Sequence, residues 1–145
     1  MAGNAGDVTA NTLDVLVLKL DGIGNISWQK TYGGSANDGA DSIQQTSDGG
    51  YVVAGFTLSF GKGCSDAWVL KLDGSGNILW EKTYGGSGCD PAYSIQQSSD
   101  GSYIMAGYTD SFGSDAGLGD FWVLKLDESG NIYDCSVVGT SKATV

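Results

Sequence analysis

Residues 66–73 read DAWVLKLD and residues 76–86 read GNILWEKTYGG, and each has counterparts elsewhere in the chain. DVLVLKLD stands at 14–21 and DFWVLKLD at 120–127, offsets of 52 and 54 residues. GNISWQKTYGG stands at 24–34. SIQQTSDGGYVVAG at 42–55 returns as SIQQSSDGSYIMAG at 94–107, followed by FTLSFG and YTDSFG respectively. The two extra residues fall in one Gly-rich loop, SFGKGCSD against SFGSDAGLGD, where a repeated fold unit tolerates insertion.

Each unit holds four strand-like runs. In DAWVLKLD, Trp68, Leu70 and Leu72 alternate with Val69 and Lys71, a period of two. NILWEKTY places Ile78, Trp80, Lys82 and Tyr84 in one alternation register. SIQQ is short and polar, and YIMAGY is apolar on both faces, which suits a strand between two sheets. DGSGN, SDGS and TYGGSG supply turn chemistry between them. The 24 glycines in 145 residues work against helices, and no segment combines helical periodicity with caps. The expected fold is all-β. Four short strands in about 50 residues, with a Trp in one strand and Gly-rich corners, describe a β-propeller blade. A solenoid is the second reading, with shorter repeats and fewer strands per unit.

Composition narrows function. Fifteen Asp and two Glu face seven Lys, for a net charge of −10, and there is neither Arg nor His. Histidine bases, triads and ligands are excluded. No basic patch outweighs the acids, so nucleic acid is not an expected partner. No apolar run approaches the ~18 residues of a spanning helix. MAGNAGDVTANT has no basic start and no apolar stretch, so no signal peptide is read there. Cys64, Cys89 and Cys135 form no CxxC pair and no framework, and Cys135 reads as a small core residue.

The pattern DxWVLKLDxxGNIxWxKTYGG followed by SIQQTSDGGYxVAG resembles a kelch-like beta-propeller repeat family of archaeal and bacterial surface or secreted proteins. The resemblance covers roughly residues 14–134 and implies four-stranded antiparallel blades and an extracellular or cell-envelope setting, with no assigned activity. Leu16 replaces the repeated Trp in the first unit, and Asp134 replaces the second Trp in the last. By analogy with kelch blades, SIQQ is innermost, then YVVAG and WVLKLD, with NILWEKTY outermost. That phase gives an irregular segment 1–13, a half blade 14–34, blades 35–86 and 87–138, and a tail 139–145. Propellers close with ~4–8 blades, so about two and a half cannot close alone. The rest is expected from other copies, head to tail with a dimer favoured over a trimer, or from a longer parent protein, since Met1 starts in mid-pattern.

Up-and-down blades place the inter-blade loops and the SFG loops on one face. That face should carry Asp38, Asp41, Asp66, Asp90, Asp115 and Asp120. Structural and solubilising roles come first for these acids, then a glycan or protein ligand. Acid/base work on a glycan is the alternative. Up-and-down topology also brings the loops of Cys64 and Cys89 to one face, so a disulfide is a candidate if the Cα atoms lie within about 7 Å. The DGxGN turns at 21–25 and 73–77, with DESGN at 127–131, are similar to the Asp-box hairpins of sialidase-like propellers, differing by one residue in spacing. They read as turn builders rather than calcium sites. The repeated Trp28, Trp68, Trp80 and Trp122 read as packing between blades. No catalytic residue, metal centre or cofactor is expected. The function read from the sequence is a non-enzymatic scaffold or recognition module, against a carbohydrate-active enzyme as the competing class.

Overall fold

The computed structural model of the chain describes residues 2–7, 12–113 and 119–132. Among them the regular structure is all β. The strands are β1 (Ala2–Asp7), β2 (Thr12–Leu20), β3 (Ile26–Tyr32), β4 (Asp38–Gln45), β5 (Tyr51–Thr57), β6 (Ser65–Leu72), β7 (Ile78–Tyr84), β8 (Cys89–Asp90), β9 (Ala92–Gln97), β10 (Tyr103–Thr109) and β11 (Asp120–Leu126). They form three sheets, ordered β1-β2-β3, β4-β5-β6-β7 and β11-β10-β9. Neighbours within these orders pair antiparallel, and β8 joins the start of β6 in parallel. The short turns β2–β3, β4–β5, β6–β7 and β9–β10, and the turn after β11, each have a glycine with positive φ: Gly24, Gly49, Gly76, Gly101 and Gly130.

Residues 1–13 differ from the irregular segment expected of them, because Ala2–Asp7 form β1 along the edge of β2. Ala, Gly and Asn are weak strand formers, so local preference gives no signal there. Register gives one. Ala2 and Gly3 pair with Val17 and Leu16 as Ala54 and Gly55 pair with Val69 and Trp68, and as Ala106 and Gly107 pair with Val123 and Trp122. The glycine is required in the two later sheets. A Cβ on Gly55 would lie 2.0 Å from the Gly39 carbonyl, and one on Gly107 would lie 2.2 Å from that of Pro91. The expected limits of the third unit and the tail run past Ile132, outside the described residues, as do Asp134 and Cys135.

The sheets stack face to face. Val15, Val17 and Tyr32 of the first pack on Val53, Trp68, Leu70 and Leu72 of the second. The other face of the second sheet, with Val52, Ala54, Ala67, Val69 and Tyr84, packs on Ile95, Tyr103, Met105, Leu124 and Leu126 of the third. Alternation explains the division, since odd and even residues of one strand point to opposite faces. β5 and β6 are therefore buried on both sides. This suits the apolar YVVAG run of β5, whereas β6, which reads as a period-two strand, is buried at both registers, Lys71 included.

A polar contact repeats beside each apolar one. Trp28 Nε1 donates to the Gly74 carbonyl (3.1 Å), Lys30 Nζ to Asn77 Oδ1 (2.6 Å) and the Tyr32 hydroxyl to the Gly76 carbonyl (2.6 Å). One sheet further on, Trp80 Nε1 donates to the Glu128 carbonyl, Lys82 Nζ to Asn131 Oδ1 and the Tyr84 hydroxyl to the Gly130 carbonyl. The last strand of the first sheet and that of the second thus each grip the DxxGN turn of the next sheet. Burial, with Asp73 nearby, pushes the Tyr32 hydroxyl up to about 12, and burial with Asp127 pushes Tyr84 up too. Both remain protonated donors at neutral pH.

Candidate functional site

The loop end of the stack gathers the acids singled out above, and it divides them. Asp38 and Asp90 are wholly buried. Asp38 accepts from the Thr57 hydroxyl (2.5 Å), the Ser59 hydroxyl (2.7 Å) and the Gly34 amide (2.8 Å). Asp90 repeats the pattern with the Thr109 hydroxyl, the Ser111 hydroxyl (2.6 Å) and the Gly86 amide (2.8 Å). Burial alone would raise the Asp90 carboxyl, but these donors outweigh it and hold it below the usual carboxylate range. Each carboxylate ties the loop after an outer strand to the Thr-x-Ser segment that ends a second strand. Both acids lie inside the protein, away from the loop surface on which a ligand role requires them.

Asp66 is also buried, at 2% exposure. The β6–β8 pairing sets it directly beside Asp90. The Lys62 amide donates to Asp66 Oδ2, while Oδ1 has no partner among the described residues. Burial pushes this carboxyl up, the Lys62 amide pulls it back, and the charge of Asp90 raises it again. Asp14, at the equivalent place in the first sheet, has an unpartnered Oδ1 as well. Asp41 lies at the bulge between Ala40 and Ser42 of β4 and is exposed. Its counterpart is Tyr93, so this position is not acidic in both copies. Asp120 is half-buried and lines a cavity of about 40 Å³ with Asp110, Ser111 and Phe112. Asp115 lies outside the described residues.

Of the acids named from sequence, the structure brings Asp66 and Asp90 together, in a place closed to a bulky substrate. General acid/base catalysis needs the carboxyl within hydrogen-bond reach of the substrate. No group of three potential metal-ligating side chains occurs among the described residues. The DxxGN turns are self-contained. Asp73 Oδ1 accepts from the amides of Ser75 and Asn77 (both 2.8 Å), while Asn77 Nδ2 donates to Asp73 Oδ2 (2.8 Å). The turns at Asp21 and Asp127 repeat these bonds. Hydrogen bonds from the asparagine hold all three aspartates below their ordinary value.

Cys64 and Cys89 form a disulfide with Cα atoms 4.8 Å apart. It fastens the β5–β6 loop of the second sheet to the crossing into the third, beside the Cys64 amide bond to the Gly88 carbonyl (3.2 Å). Two ion pairs escaped the sequence reading. Lys71 Nζ meets Asp48 at 2.8 Å, and Lys125 meets Asp100 at 3.3 Å. Each joins a third strand to the turn between the first two, and the repeated SDG and VLKL strings carry both partners. Among the described residues, no helix is long and apolar enough to cross a membrane. Compared with known proteins, the chain matches no family model and no curated sequence.

Proposed function

We propose that the chain is a non-enzymatic β-propeller scaffold or recognition module in which each sheet is a blade and the two end faces are completed by further units. The contrast between repeat-equivalent positions carries this reading. Val52, Ala67 and Val69 are 0% exposed within the stack, whereas Ile104, Phe121 and Val123 on the last sheet are 45%, 86% and 57% exposed. At the other end Leu20 is 44% exposed, against 0% for its counterpart Leu72. Contiguous apolar surface of this kind marks association. Head-to-tail contact between copies sets one end face on the other, and such heterologous contacts close into rings when the rotation allows.

Three sheets per chain make the dimer the favoured assembly. Two chains fall within the roughly four to eight blades at which propellers close, and three chains exceed it. The kelch-like repeat pattern supports the blade reading. Its surface or secreted setting agrees with the Cys64–Cys89 disulfide, because such bonds persist in oxidising surroundings. A glycan or protein ligand would meet the loop end through Asp41 and Asp120, since Asp38, Asp66 and Asp90 are enclosed.

Sedimentation velocity on the chain and on Phe121→Glu with Val123→Glu tests the assembly. The unaltered chain should sediment faster as concentration rises, and the variant should remain monomeric. Identical monomeric behaviour of both would refute the end-face reading. A glycan panel tests the enzyme alternative: no turnover is expected, and turnover abolished by Asp120→Asn would establish it.

A further inference from the structure

We infer that the turn Asp21–Asn25, with the outward face of β2, is a seat for a strand that carries Trp, Lys and Tyr at alternate positions. Its occupant is the outer strand of a further unit of this kind. The inference rests on the stacked-blade reading and adds to it the side chains that the N-terminal face selects.

The seat is defined by its two occupied copies. Turn 73–77 is gripped by Trp28, Lys30 and Tyr32, and turn 127–131 by Trp80, Lys82 and Tyr84. In both, the six-membered ring of the indole packs against the turn glycine. A Cβ on Gly76 would come within 2.9 Å of the Trp28 ring, and one on Gly130 within 2.8 Å of the Trp80 ring. Turn 21–25 has the same fold. Asp21 N donates to the Asn25 carbonyl (2.8 Å), Asp21 Oδ1 accepts from Ile23 and Asn25, and Gly24 has φ of 92° against 77° and 76° in the other two.

The surroundings differ. No atom lies within 4 Å of a Cβ built on Gly22 or Gly24, and Ile23 is 87% exposed. The carbonyls of Gly22 and Gly24 and Asn25 Oδ1 are the counterparts of the three acceptors, and they take no partner among the described residues. The turn is therefore built before any partner arrives, which lowers the ordering cost of binding. Asp21 adds the negative charge that an incoming lysine needs, as Asp73 does beside Lys30. A groove of about 380 Å³ lined by Leu16, Gln29, Lys30 and Thr31 lies on the same sheet.

A second copy does not supply this strand. Its Trp28 and Trp80 sets already hold turns of their own. By sequence alignment its last unit carries Asp134, Ser136 and Val138 where Trp80, Lys82 and Tyr84 stand in the unit before. Copies meeting head to tail thus make the apolar half of the contact without the polar half. A unit bearing the full set makes both.

The test extends the full chain by one unit. Residues 35–104 are joined ahead of Met1, so that Met1-Ala2-Gly3 continues the repeat as Met105-Ala106-Gly107 does. A second version carries Trp80→Ala, Lys82→Ala and Tyr84→Phe in the added copy alone. Hydrogen exchange of the amides at Ile23, Gly24 and Asn25 is the readout. Exchange should slow by roughly tenfold or more in the first version and stay at the rate of the unextended chain in the second. An added unit that folds while these amides exchange at the original rate overturns the inference. So does an added unit that stays unprotected, because a working seat would order it. Tyr84→Phe in the unextended chain separates the two levels. If it leaves stability unchanged, the stacking account itself fails. If it destabilises while the Asp21–Asn25 turn stays indifferent, this inference alone falls.

Discussion

Replacing Gly76 and Gly24 by alanine, one at a time, isolates the contact that joins the sheets. Both glycines have positive φ, 77° and 92°. A side chain there costs about 1–2 kcal/mol whatever surrounds it, because its Cβ crowds the following carbonyl. At Gly24 the cost ends there, since no atom lies within 4 Å of the new methyl group. At Gly76 the methyl would sit 2.9 Å from the Trp28 ring. The indole must withdraw, straining its bond to Gly74 and loosening the Tyr32 bond to Gly76 itself. Overpacking of this kind adds about 1–3 kcal/mol. Gly76→Ala should therefore lose about 2–5 kcal/mol against about 1–2 kcal/mol for Gly24→Ala. Urea unfolding followed by far-ultraviolet circular dichroism measures both, with Gly130→Ala expected to track Gly76→Ala. Equal losses at Gly24 and Gly76 would show that the indole contact carries no energy and would refute the reasoning.

Reducing the Cys64–Cys89 bond releases a loop of 25 residues, which the chain-entropy relation values at about 3.5 kcal/mol. Unfolding with and without reductant should differ by about that amount, and two free thiols in the native protein would remove the basis for it. Asp66 and Asp90 should respond oppositely to amide substitution. The folded-state value of Asp66 is raised, so its favourable contribution is complete below the ordinary carboxyl range and lost as pH rises through the raised value. Asp66→Asn should accordingly stabilise by about 1 kcal/mol at neutral pH, with the gain vanishing in acid. The folded-state value of Asp90 is lowered, so its contribution is present above the ordinary range and lost as pH falls. Asp90→Asn should cost about 2 kcal/mol at neutral pH, and thermal melts across pH that give both variants one sign would contradict this assignment. Chelator should leave the melting temperature unchanged, because the DxxGN aspartates are satisfied by their own turns; a drop restored by calcium would show a cation bound to the native state.

Much of the fold is legible in the sequence because alternation and turn chemistry are local. YVVAG is apolar at both registers and lies between two packed faces, while the period-two DAWVLKLD is read correctly as a strand although its Lys71 register is buried as well. The β1 strand is hidden for a local reason, since AGNAGD contains none of the residues that favour strands. Only the match of Met1-Ala2-Gly3 to Met105-Ala106-Gly107 marks it. The candidate site is harder to read. An Asp in a Gly-rich loop looks alike whether it faces water or accepts from Thr57 and Ser59, because those donors stand about twenty residues away in another strand. The approach of Asp66 to Asp90 depends on β8 crossing to β6, which no repeat within one unit encodes. The grip of Trp28 on turn 73–77 is written in the repeated WxKTY and DGSGN strings, but their pairing spans two sheets and has no local period.

The solution mass of the unmodified chain tests the open end faces most directly. With Phe121 and Val123 exposed on one face and Leu20 on the other, light scattering across the micromolar range should give a mass rising toward that of two chains. Added salt should strengthen the association, because a net charge of −10 opposes the approach of two copies and salt screens it. A mass of one chain at every concentration and salt level, with cooperative unfolding, would show that the three-sheet stack is sufficient alone and would contradict the account.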